Sequence, residues 1–554
     1  MTTAVLKGIG VSAGSATGPV ARMAPVPAPP EVRTLSQADV PTEVTAARHA
    51  LGQVAADLER RAAAVTGDAA DVLSAQALMV ADPVLGDQVE ARIRAGADGV
   101  HAIADAFGEF RAQLEAASSY FAERVADLDD LRDRSVAAML DLPMPGLPDP
   151  GHPYVLVAAD LAPADTALLD PSQVLALVTE RGGPTSHTAI LAKTLGLPAV
   201  VVCDRAGTLT DGLSVLVDGA AGAVHVDPPP QAVTAAAELE QHRRSLAESV
   251  RGPGRTSDGH PVKLLVNLGA SHELPTAAAA DSEGVGLFRT EFLYLDRAQA
   301  PSAAEQFAAY REVFTAFAGR RVVVRTLDAG ADKPLPFATA ADEQNPALGV
   351  RGLRTALRDP GLLQTQLAAI ADAASGSGAE VWVMAPMVSV PREADGFAEQ
   401  VRAHGLRMAG AMVEVPAAAL RAGELAQVCD FLSIGTNDLA QYAFAADRTL
   451  GQLAEFLDPW QPALLDLVRM AAEAGAWHDR PVGVCGEAAA DPALALVLVG
   501  LGVTSLSTAP SCLSDVRTAL AAQTHEGCRQ LAGIALTAPD ATTARAEVLA
   551  KIAS

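Results

Sequence analysis

One histidine of this 554-residue sequence stands where an anion could bind. His187 follows the apolar run 174–179, which has the length of a buried strand, and the pair Gly182–Gly183, which frees the backbone for a tight turn. Thr185 and Ser186 are favourable helix caps, so His187 should lie in the first turn of a helix, where free N–H groups attract anions. A neutral imidazole there could attack a phosphoryl group, although the turn alone is also typical of an ordinary helix cap.

Reactive side chains also follow apolar runs at the points where several further strands should end. The five sets are Arg289 and Glu291, Arg325 and Asp328, Glu414, Asn437 and Asp438, and Cys485 and Glu487. One or two polar residues at strand ends are common, because strand ends often face solvent. Five such sets instead indicate one shared site, because the carboxyl ends of parallel barrel strands meet on the same face.

The residue types in and around these sets favour chemistry on a phosphorylated substrate. Arginine recognises phosphate and carboxylate through paired N–H groups. Five cations could form one pocket: Arg289, Arg325, Lys333, Arg351 and Arg448. Glu414 and Asp438 could hold one Mg²⁺, which takes one or two protein carboxylates and completes its shell with water and substrate oxygens. The Cys485 thiol could donate a proton to a carbon atom, or it could be a buried small hydrophobe.

The elements that must position these residues alternate between strand and helix in the second half of the chain. From about residue 256 onward, eight apolar runs of strand length are separated by helical stretches. The runs are VKLLVNLG, GVGLFRTEF, RVVVRTLD, VWVMAPM, AMVEVP, FLSIGTND, VGVCGE and TSLSTAP. Strands alternating with helices predict a parallel sheet, and eight such units in roughly 300 residues match a (β/α)8 TIM-type barrel.

The first half of the chain predicts two different structures. Residues from about 36 to 142 place apolar residues at helical spacing and predict a helical insertion. Short strands with glycine turns precede it, and strand and helix patterns alternate from Tyr154 to about Asp227, which predicts an α/β domain around His187. The stretch QAVTAAAELEQHRRSLAES predicts a helix that links this domain to the barrel.

The composition excludes several classes of protein. A formal net charge of −25 argues against nucleic-acid binding and suits a protein that handles anionic metabolites in local basic pockets. The five cysteines are scattered and form no C-x-x-C pair, which indicates a reducing compartment. The amino terminus lacks the apolar core of a signal peptide, and the apolar run 492–503 is too short to span a bilayer. We therefore expect a cytoplasmic protein without membrane insertion.

Seven sequence motifs stand in one order along nearly the whole chain. They are GGPTSH at 182–187, GLFRTEFL at 286–293, VRTLD at 324–328, NPALGVR at 345–351, MVEVPA at 412–417, SIGTNDLAQY at 433–442 and CGE at 485–487. With these motifs the sequence resembles the enzyme I family of the sugar phosphotransferase system, the phosphoenolpyruvate-protein phosphotransferases.

The resemblance implies a role for each matching residue. His187 would take the phosphoryl group of phosphoenolpyruvate on Nε2, Thr166 would help to orient the imidazole, and Cys485 would protonate the enolate carbon to release pyruvate. Phosphoenolpyruvate would be bound by residues of the barrel: Arg289, Arg325, Lys333, Arg351, Asn437, Asp438 and Arg448. Glu414 and Asp438 would be the ligands of Mg²⁺.

The resemblance also implies an arrangement of domains and partners. Residues 1–30 and 150–228 would form the phosphohistidine α/β domain, 31–149 an inserted helical subdomain that binds the phosphocarrier protein HPr, 229–255 a linker helix, and 256–554 the barrel that binds phosphoenolpyruvate. The family forms a homodimer through its barrel. Because His187 and the barrel site lie on different domains, the phosphohistidine domain would have to swing between phosphoenolpyruvate and HPr.

Two other functions fit parts of the pattern. Pyruvate phosphate dikinase and phosphoenolpyruvate synthase share a T-S-H or T-C-H histidine domain and a similar barrel. They also need a long nucleotide-binding domain, which the helical pattern of residues 31–149 does not match. The second alternative is an inactive paralogue with a regulatory role. Such a protein should lack at least one catalytic residue of the enzyme I family, and this sequence has a residue of the expected type at each matching position. Gln76 stands where many enzyme I members carry a histidine on the helical subdomain, which affects the expected docking of HPr.

Overall fold

The computed structural model describes residues 4–554 apart from short gaps. The gaps are residues 13, 25–29, 65–67, 118–121, 144, 162–168, 183–186, 270, 296, 298, 330–334, 336, 340–342, 344 and 449–450. For a further set only the backbone is described: 64, 68–72, 113–117, 122–127, 187, 190, 194, 244, 246–248, 272, 451 and 452. Two predicted site residues, Thr166 and Lys333, therefore lie outside the described residues, as does the side chain of His187.

An eight-stranded sheet is built from two separate parts of the first half of the chain. Its strands are Val5–Lys7 (β1), Ile9–Ser12 (β2), Ser15–Arg22 (β3), Tyr154–Ala158 (β4), Val174–Thr179 (β5), Ala199–Val201 (β6), Ser214–Asp218 (β7) and Ala223–Val226 (β8). They lie in the order β1-β8-β7-β3-β4-β5-β6-β2. Strands β3 to β6 run parallel to each other, and the remaining pairs are antiparallel.

The strand β4 shows that this sheet is covered on both faces. Tyr154, Leu156 and Ala158 belong to one hydrophobic cluster, and Val155 and Val157 belong to another. All five side chains are buried. Because alternate residues of a strand point to opposite faces, an uninterrupted apolar run is what a strand between two packed layers requires.

A helical unit is inserted between β3 and β4. Its helices are Val40–Ala64 (α1), Asp68–Val80 (α2), Pro83–Arg94 (α3), Gly99–Ala117 (α4) and Ala122–Met139 (α5). Helix α1 packs against α2, α3 and α5, and α4 packs against α3 and α5. The α3 helix begins after Asp82, whose Oδ1 accepts a hydrogen bond from the Val84 N–H at 2.8 Å, so the first turn is capped.

Two further helices lead from the sheet towards the rest of the chain. Helix α6, His187–Leu195, lies between β5 and β6, and it begins at the residue that the sequence predicts for a helix start. Helix α7, Pro230–Ser249, follows β8 and contains the predicted linker helix. The chain then enters the second half of the molecule.

The second half of the chain forms a closed barrel of eight parallel strands. They are Lys263–Leu268 (β9), Gly284–Arg289 (β10), Arg321–Arg325 (β11), Glu380–Ala385 (β12), Met408–Val413 (β13), Phe431–Ile434 (β14), Val482–Val484 (β15) and Ser505–Thr508 (β16). Each strand pairs with the next, and β16 pairs with β9 to close the barrel. Each of the eight predicted apolar runs overlaps one of these strands, although β12 and β13 begin before their predicted runs, and the predicted α/β multidomain fold with a TIM-type barrel is confirmed.

Helices surround and extend the barrel. They are Leu274–Ala279 (α8), Ala303–Ala316 (α9), Pro360–Ala374 (α10), Pro391–Ala403 (α11), Pro416–Leu420 (α12), Ala422–Val428 (α13), Thr436–Phe444 (α14), Pro462–Trp477 (α15), Pro492–Gly500 (α16), Leu513–Ala522 (α17), His525–Thr537 (α18) and Ala541–Ile552 (α19). Helix α16, which lies in the apolar run 492–503, is buried against α17 and α18. In the described ranges, no helix combines the length and the apolar character needed to cross a membrane.

Candidate active site

The carboxyl ends of the barrel strands bring most of the predicted site residues to one rim. Arg289 is the last residue of β10, Arg325 is the last residue of β11, and Cys485 follows directly after β15. Glu414 follows β13 in the same way, and Asp438 lies in the first turn of α14, just after β14. Because neighbouring strands of the barrel are all parallel, these positions share one face.

Buried arginines and acidic side chains form the centre of this rim. Arg325 Nη2 lies 3.0 Å from Glu291 Oε1, and Arg325 Nη1 lies 3.3 Å from Asp328 Oδ2. Arg351 Nη2 lies 3.0 Å from the same Asp328 oxygen, and Arg351 Nη1 lies 3.2 Å from Asp438 Oδ1. None of the five side chains is more than 12% exposed, so solvent screens these pairs little.

The pKa values in this group follow from its pairing. Burial alone would raise the pKa of Asp328, but the charges of Arg325 and Arg351 outweigh burial and hold the pKa below its ordinary value. Burial alone would lower the pKa of both arginines, and their carboxylate partners outweigh it, so the pKa of each is raised. These three side chains therefore form a fixed array of charges that does not titrate near neutral pH.

The sequence-based prediction assigns no individual role to three residues at the rim, although two of them belong to its sets of strand-end side chains. Glu291 and Asp328 are visible in the sequence as polar residues at strand ends, and the structure shows that they hold the guanidinium group of Arg325. Tyr442 accepts a hydrogen bond from Arg351 Nη1 at 3.1 Å through its hydroxyl oxygen. Their presence within the quoted motifs is the signal that could have identified them, but no spacing rule predicts which arginine pairs with which acid.

Glu414 is the most perturbed carboxylate of the rim. It is 1% exposed, and its Oε1 accepts a hydrogen bond from the Met387 N–H at 2.6 Å. Met387 has a φ of 57°, a left-handed conformation that residues with side chains rarely adopt, so the contact is maintained at the expense of local strain. Burial raises the pKa of Glu414 to about 8, and the nearby charges of Asp438 and Asp328 add to the increase.

Glu414 and Asp438 are suitable ligands for a hard divalent cation. Carboxylate oxygens are the donors that Mg²⁺ prefers. Burial is the main cause of the raised pKa of Glu414, and the neighbouring charges of Asp438 and Asp328, which a cation would offset, add to it. Within the described residues, no group of three or more His, Cys, Asp or Glu side chains is arranged to hold a metal. A Mg²⁺ site here would therefore need further oxygens from the substrate and from water.

The thiol of Cys485 is arranged as an acid. The residue is 2% exposed, its Sγ accepts a hydrogen bond from Ser433 Oγ at 3.3 Å, and the thiol lies 3.6 Å from the Ile434 carbonyl oxygen, to which it can donate. Burial raises the pKa of the Cys485 thiol, although the hydrogen bond from Ser433 acts in the opposite direction. A thiol that keeps its proton at neutral pH is a proton donor and a poor nucleophile.

Gly486 allows Cys485 to approach the first turn of α14. A Cβ atom at Gly486 would lie 2.0 Å from Thr436 Oγ1 and 2.8 Å from the Thr436 backbone nitrogen, which is far inside van der Waals contact. The φ of Gly486 is −82°, so the requirement for glycine comes from this close approach and not from the backbone conformation. The cysteine and the residues of α14 can therefore share one site.

The other described residues of the predicted barrel site lie around this centre. Asn437 Oδ1 accepts a hydrogen bond from the Glu487 backbone N–H at 3.2 Å. Arg289 contributes to the lowered pKa of Glu487, after the opposing effect of burial and the larger effect of Lys193. Arg448 contributes to the lowered pKa of Asp328 in the same way, after burial and the two arginines paired with this carboxylate. Both cations therefore act electrostatically on the rim.

The helix that begins at His187 contacts the same rim. Lys193 of α6 places its Nζ 2.9 Å from Glu487 Oε2. Ser511, which follows β16, donates a hydrogen bond from Oγ to the Lys193 carbonyl oxygen at 2.6 Å.

Three family descriptions cover most of the chain. Residues 243–525 match "PEP-utilising enzyme, PEP-binding domain". Residues 150–222 match "PEP-utilising enzyme, mobile domain", and residues 7–124 match "PEP-utilising enzyme, N-terminal". The barrel and its rim lie within the first of these matches.

Curated relatives of similar length share one name, "Phosphoenolpyruvate-protein phosphotransferase". The protein of Streptomyces coelicolor is 53% identical over 542 residues, which cover 98% of each chain. The protein of Haloferax volcanii is 40% identical over 571 residues, covering 99% of each chain. The protein of Bacillus subtilis is 35% identical over 541 residues, covering 93% of each chain.

Proposed function

This chain belongs to the phosphoenolpyruvate-protein phosphotransferases, and from this premise we propose that it catalyses the first step of the sugar phosphotransferase system. In this proposal the phosphoryl group of phosphoenolpyruvate passes to His187 and then to the phosphocarrier protein HPr. The observation that carries the proposal is the contact between α6, which begins at His187, and the rim that holds Arg325 and Cys485.

We assign the binding of phosphoenolpyruvate to the cations of the rim and their neighbours. The residues are Arg289, Arg325, Lys333, Arg351, Asn437, Asp438 and Arg448. Guanidinium groups match both the phosphate and the carboxylate of this substrate through paired N–H donors. Arg325 and Arg351 are already held by Asp328 at 3.3 and 3.0 Å, so their orientation requires little change when the substrate arrives.

Glu414 and Asp438 would hold Mg²⁺ beside the substrate. The bound ion would neutralise negative charge on the phosphoryl oxygens during transfer. Both carboxylates are fixed by other groups, since Asp438 accepts from Arg351 at 3.2 Å and Glu414 accepts from the Met387 N–H at 2.6 Å. Fixed ligands suit an ion that demands a regular geometry.

The proposed chemistry takes place between His187, the substrate and Cys485. The neutral imidazole attacks phosphorus through Nε2, the N–P bond forms, and the bond from phosphorus to the enol oxygen breaks. The electron pair of that bond remains on the enolate, whose methylene carbon then takes the proton of the Cys485 thiol, so that pyruvate and a thiolate result. The amino-terminal end of α6 would stabilise the phosphohistidine, and Thr166 would orient the ring.

The helical unit α1–α5 is the surface that we assign to HPr. The net charge of −25 supports a basic protein partner. Gln76, which differs from the histidine of many enzyme I members, is 4% exposed, so it would affect docking through the packing of α2 and not by direct contact. Homodimerisation through the barrel and a cytoplasmic location complete the proposal.

Intact-protein mass spectrometry tests this function. With phosphoenolpyruvate and Mg²⁺ we expect one acid-labile phosphate on the wild-type chain, its loss when HPr is added, and no phosphate on His187→Ala. His152→Ala is the matched control, because the ring of His152 is hydrogen-bonded to the neighbouring Pro153 carbonyl oxygen, at 3.0 Å, in an exposed loop before β4. Labelling from ATP would instead indicate the dikinase class, and no label from either donor would overturn the proposal.

A further inference from the structure

An ion pair joins α6 to the barrel rim. Lys193 Nζ lies 2.9 Å from Glu487 Oε2, and each side chain is only 16% exposed. Lys193 belongs to the helix that begins at His187, and Glu487 lies two residues beyond Cys485. The pair therefore connects the two parts of the protein that have to meet in the proposed reaction.

A second contact holds the same end of α6. Ser511 Oγ donates a hydrogen bond to the Lys193 carbonyl oxygen at 2.6 Å. Carbonyl groups in the last turn of a helix lack a partner within the helix. The Lys193 carbonyl oxygen also accepts a hydrogen bond from the Gly196 N–H at 3.2 Å, so the barrel side chain adds a second donor. Gly196 follows the helix with a φ of 67°, and an added Cβ there would lie 3.9 Å from Ser511 Cβ. The carboxyl-terminal end of α6 is thus fixed both by charge and by a cap.

The partners of Glu487 keep this residue charged. Burial alone would raise its pKa, but Lys193 and Arg289 outweigh burial and hold the pKa below its ordinary value. The Glu487 backbone N–H donates to Asn437 Oδ1 at 3.2 Å, so the same residue contacts the substrate-binding part of the rim. Removing Lys193 would leave the largely buried Glu487 carboxylate with less opposite charge beside it. This would disfavour the docked arrangement, in which α6 lies against the barrel rim.

An ion pair suits a contact that must form and break in every cycle. The removal of water from two charges opposes their attraction, so the net stabilisation is small, whereas the required geometry is strict. When the domains separate, both charges regain their hydration. Such a pair can set the orientation of α6 without holding the domain permanently on the barrel.

We propose that Lys193 and Glu487 are positioning residues that align α6 on the barrel rim while His187 receives the phosphoryl group. The pair takes no part in the later transfer to HPr. This inference rests on the proposed function, because it assigns a role within the phosphorylation of His187. Both residues act through the position of α6 and not by contact with the reacting atoms.

Replacement of Lys193 by methionine removes the charge and keeps most of the side-chain length. For Lys193→Met we expect phosphorylation of His187 by phosphoenolpyruvate to slow by about tenfold or more in rapid-quench measurements. Reverse phosphorylation of His187 by phosphorylated HPr should be unchanged. Lys263→Met is the matched control, since Lys263 Nζ also lies 2.9 Å from a glutamate oxygen, that of Glu283, but at the start of β9, and neither rate should change.

Exchange of the two charges gives a second readout that requires no activity. Lys193→Glu places like charges opposite each other, so it should slow phosphorylation more than Lys193→Met and should increase the radius of gyration in small-angle scattering. Addition of Glu487→Lys should reverse part of both effects. If the wild-type chain is not phosphorylated by phosphoenolpyruvate, the proposed function fails, and the scattering experiment still tests the ion pair.

Equal phosphorylation rates and equal radii for the wild type and Lys193→Glu would overturn this inference. A parallel loss of phosphorylation by phosphoenolpyruvate and by phosphorylated HPr would also overturn it, because Lys193 would then support the phosphohistidine domain itself and not its docking.

Discussion

Cys485 and Glu414 show how burial sets the protonation of single residues at the rim. Both side chains are at most 2% exposed, and burial is the main cause of the raised pKa in each case. For Cys485 the consequence is a thiol that keeps its proton. For Glu414 it is a carboxyl group whose proton competes with any cation near neutral pH.

Removal of the Ser433 hydroxyl should raise the pKa of Cys485 further. The hydrogen bond from Ser433 Oγ to Cys485 Sγ favours the thiolate, so Ser433→Ala should shift the pH midpoint of Cys485 alkylation upward, as followed by mass spectrometry of its peptide. Ser507→Ala is the matched control, because the Ser507 hydroxyl donates to Asn267 Oδ1 at 2.7 Å and not to sulfur. A midpoint that stays the same or falls in Ser433→Ala would contradict this account of the thiol.

Glu414 should make the metal-free protein less stable as the pH rises. The folded pKa of about 8 exceeds the unfolded value of 4.5, so between these values the folded state binds the additional proton. The contribution of Glu414 to the free energy of unfolding is complete below pH 4.5 and is lost as the pH rises through 8. The loss is no more than about 1.4 kcal/mol per pH unit.

The measurement compares thermal unfolding of the wild type and Glu414→Gln without metal between pH 5 and pH 8. The wild type should lose stability relative to Glu414→Gln across this range, because glutamine keeps the acceptor for the Met387 N–H and does not titrate. If the unfolding temperatures of the two proteins changed with pH in parallel, Glu414 would be ionised in the folded protein throughout this pH range.

The reactive residue types at the rim could be predicted from sequence, but their pairing could not. Arg325, Glu414 and Cys485 are recognisable because each follows an apolar run. The strained φ of Met387 and the sharing of Asp328 between two arginines depend on loops that meet only after the barrel has closed. Long-range geometry of this kind leaves no periodic trace in the sequence.

Single turns determine how closely the elements of the rim approach each other. Gly486 lets the end of β15 pass the first turn of α14, and Gly435, just before α14, faces Glu414, whose Oε2 would lie 3.0 Å from an added Cβ. The site therefore requires glycine at these two strand-helix connections, just as it requires the charged residues beside them.

Gly486→Ala should disturb the site without a change of charge. Its Cβ would lie 2.0 Å from Thr436 Oγ1, so α14 and β15 must move apart, which should destabilise the protein by about 1–3 kcal/mol and reduce phosphotransfer. Gly396→Ala is the control, because no atom lies within 4 Å of its added Cβ within α11, and it should stabilise the helix by about 0.5–1 kcal/mol. Normal unfolding temperature and activity in Gly486→Ala would show that the two elements are not in tight contact.

The elements of the barrel were the most predictable part of the fold. Strand-length apolar runs separated by helical patterns appear eight times, and each run overlaps a strand of the closed barrel. The sheet of the first half was harder to predict, because β1, β2 and β3 precede the helical unit and pair with strands more than a hundred residues later. Local patterns identify such strands but do not specify their order.

At the scale of the whole molecule, charged side chains carry several contacts between the first half of the chain and the barrel. Lys193 pairs with Glu487, and Arg243 of α7 pairs with Asp515 of α17. Arg545 of α19 donates hydrogen bonds to the carbonyl oxygens of Gly10 and Ala220, at 3.4 and 3.2 Å. No sequence pattern marks these pairs, since Lys193 and Glu487 are 294 residues apart.

Contacts of this kind should weaken as the ionic strength increases. Between about 0.1 M and about 1 M salt the screening length falls from about 10 Å to about 3 Å, so the docked arrangement should become less populated. Small-angle scattering should then show a larger radius of gyration in sodium chloride, but not in sucrose of equal osmotic strength. A radius that is independent of salt would show that apolar packing holds the two halves together.

The burial of Cys485 also affects how readily the protein is oxidised. Peroxides attack thiolates, and burial raises the pKa of all five cysteines of this chain. Four of the five are buried, and Cys512 is the partly accessible one. If the sulfur serves as an acid, as we propose, the raised pKa that suits this role also lowers its reactivity towards oxidants, whereas an enzyme that needs a reactive thiolate lacks this protection.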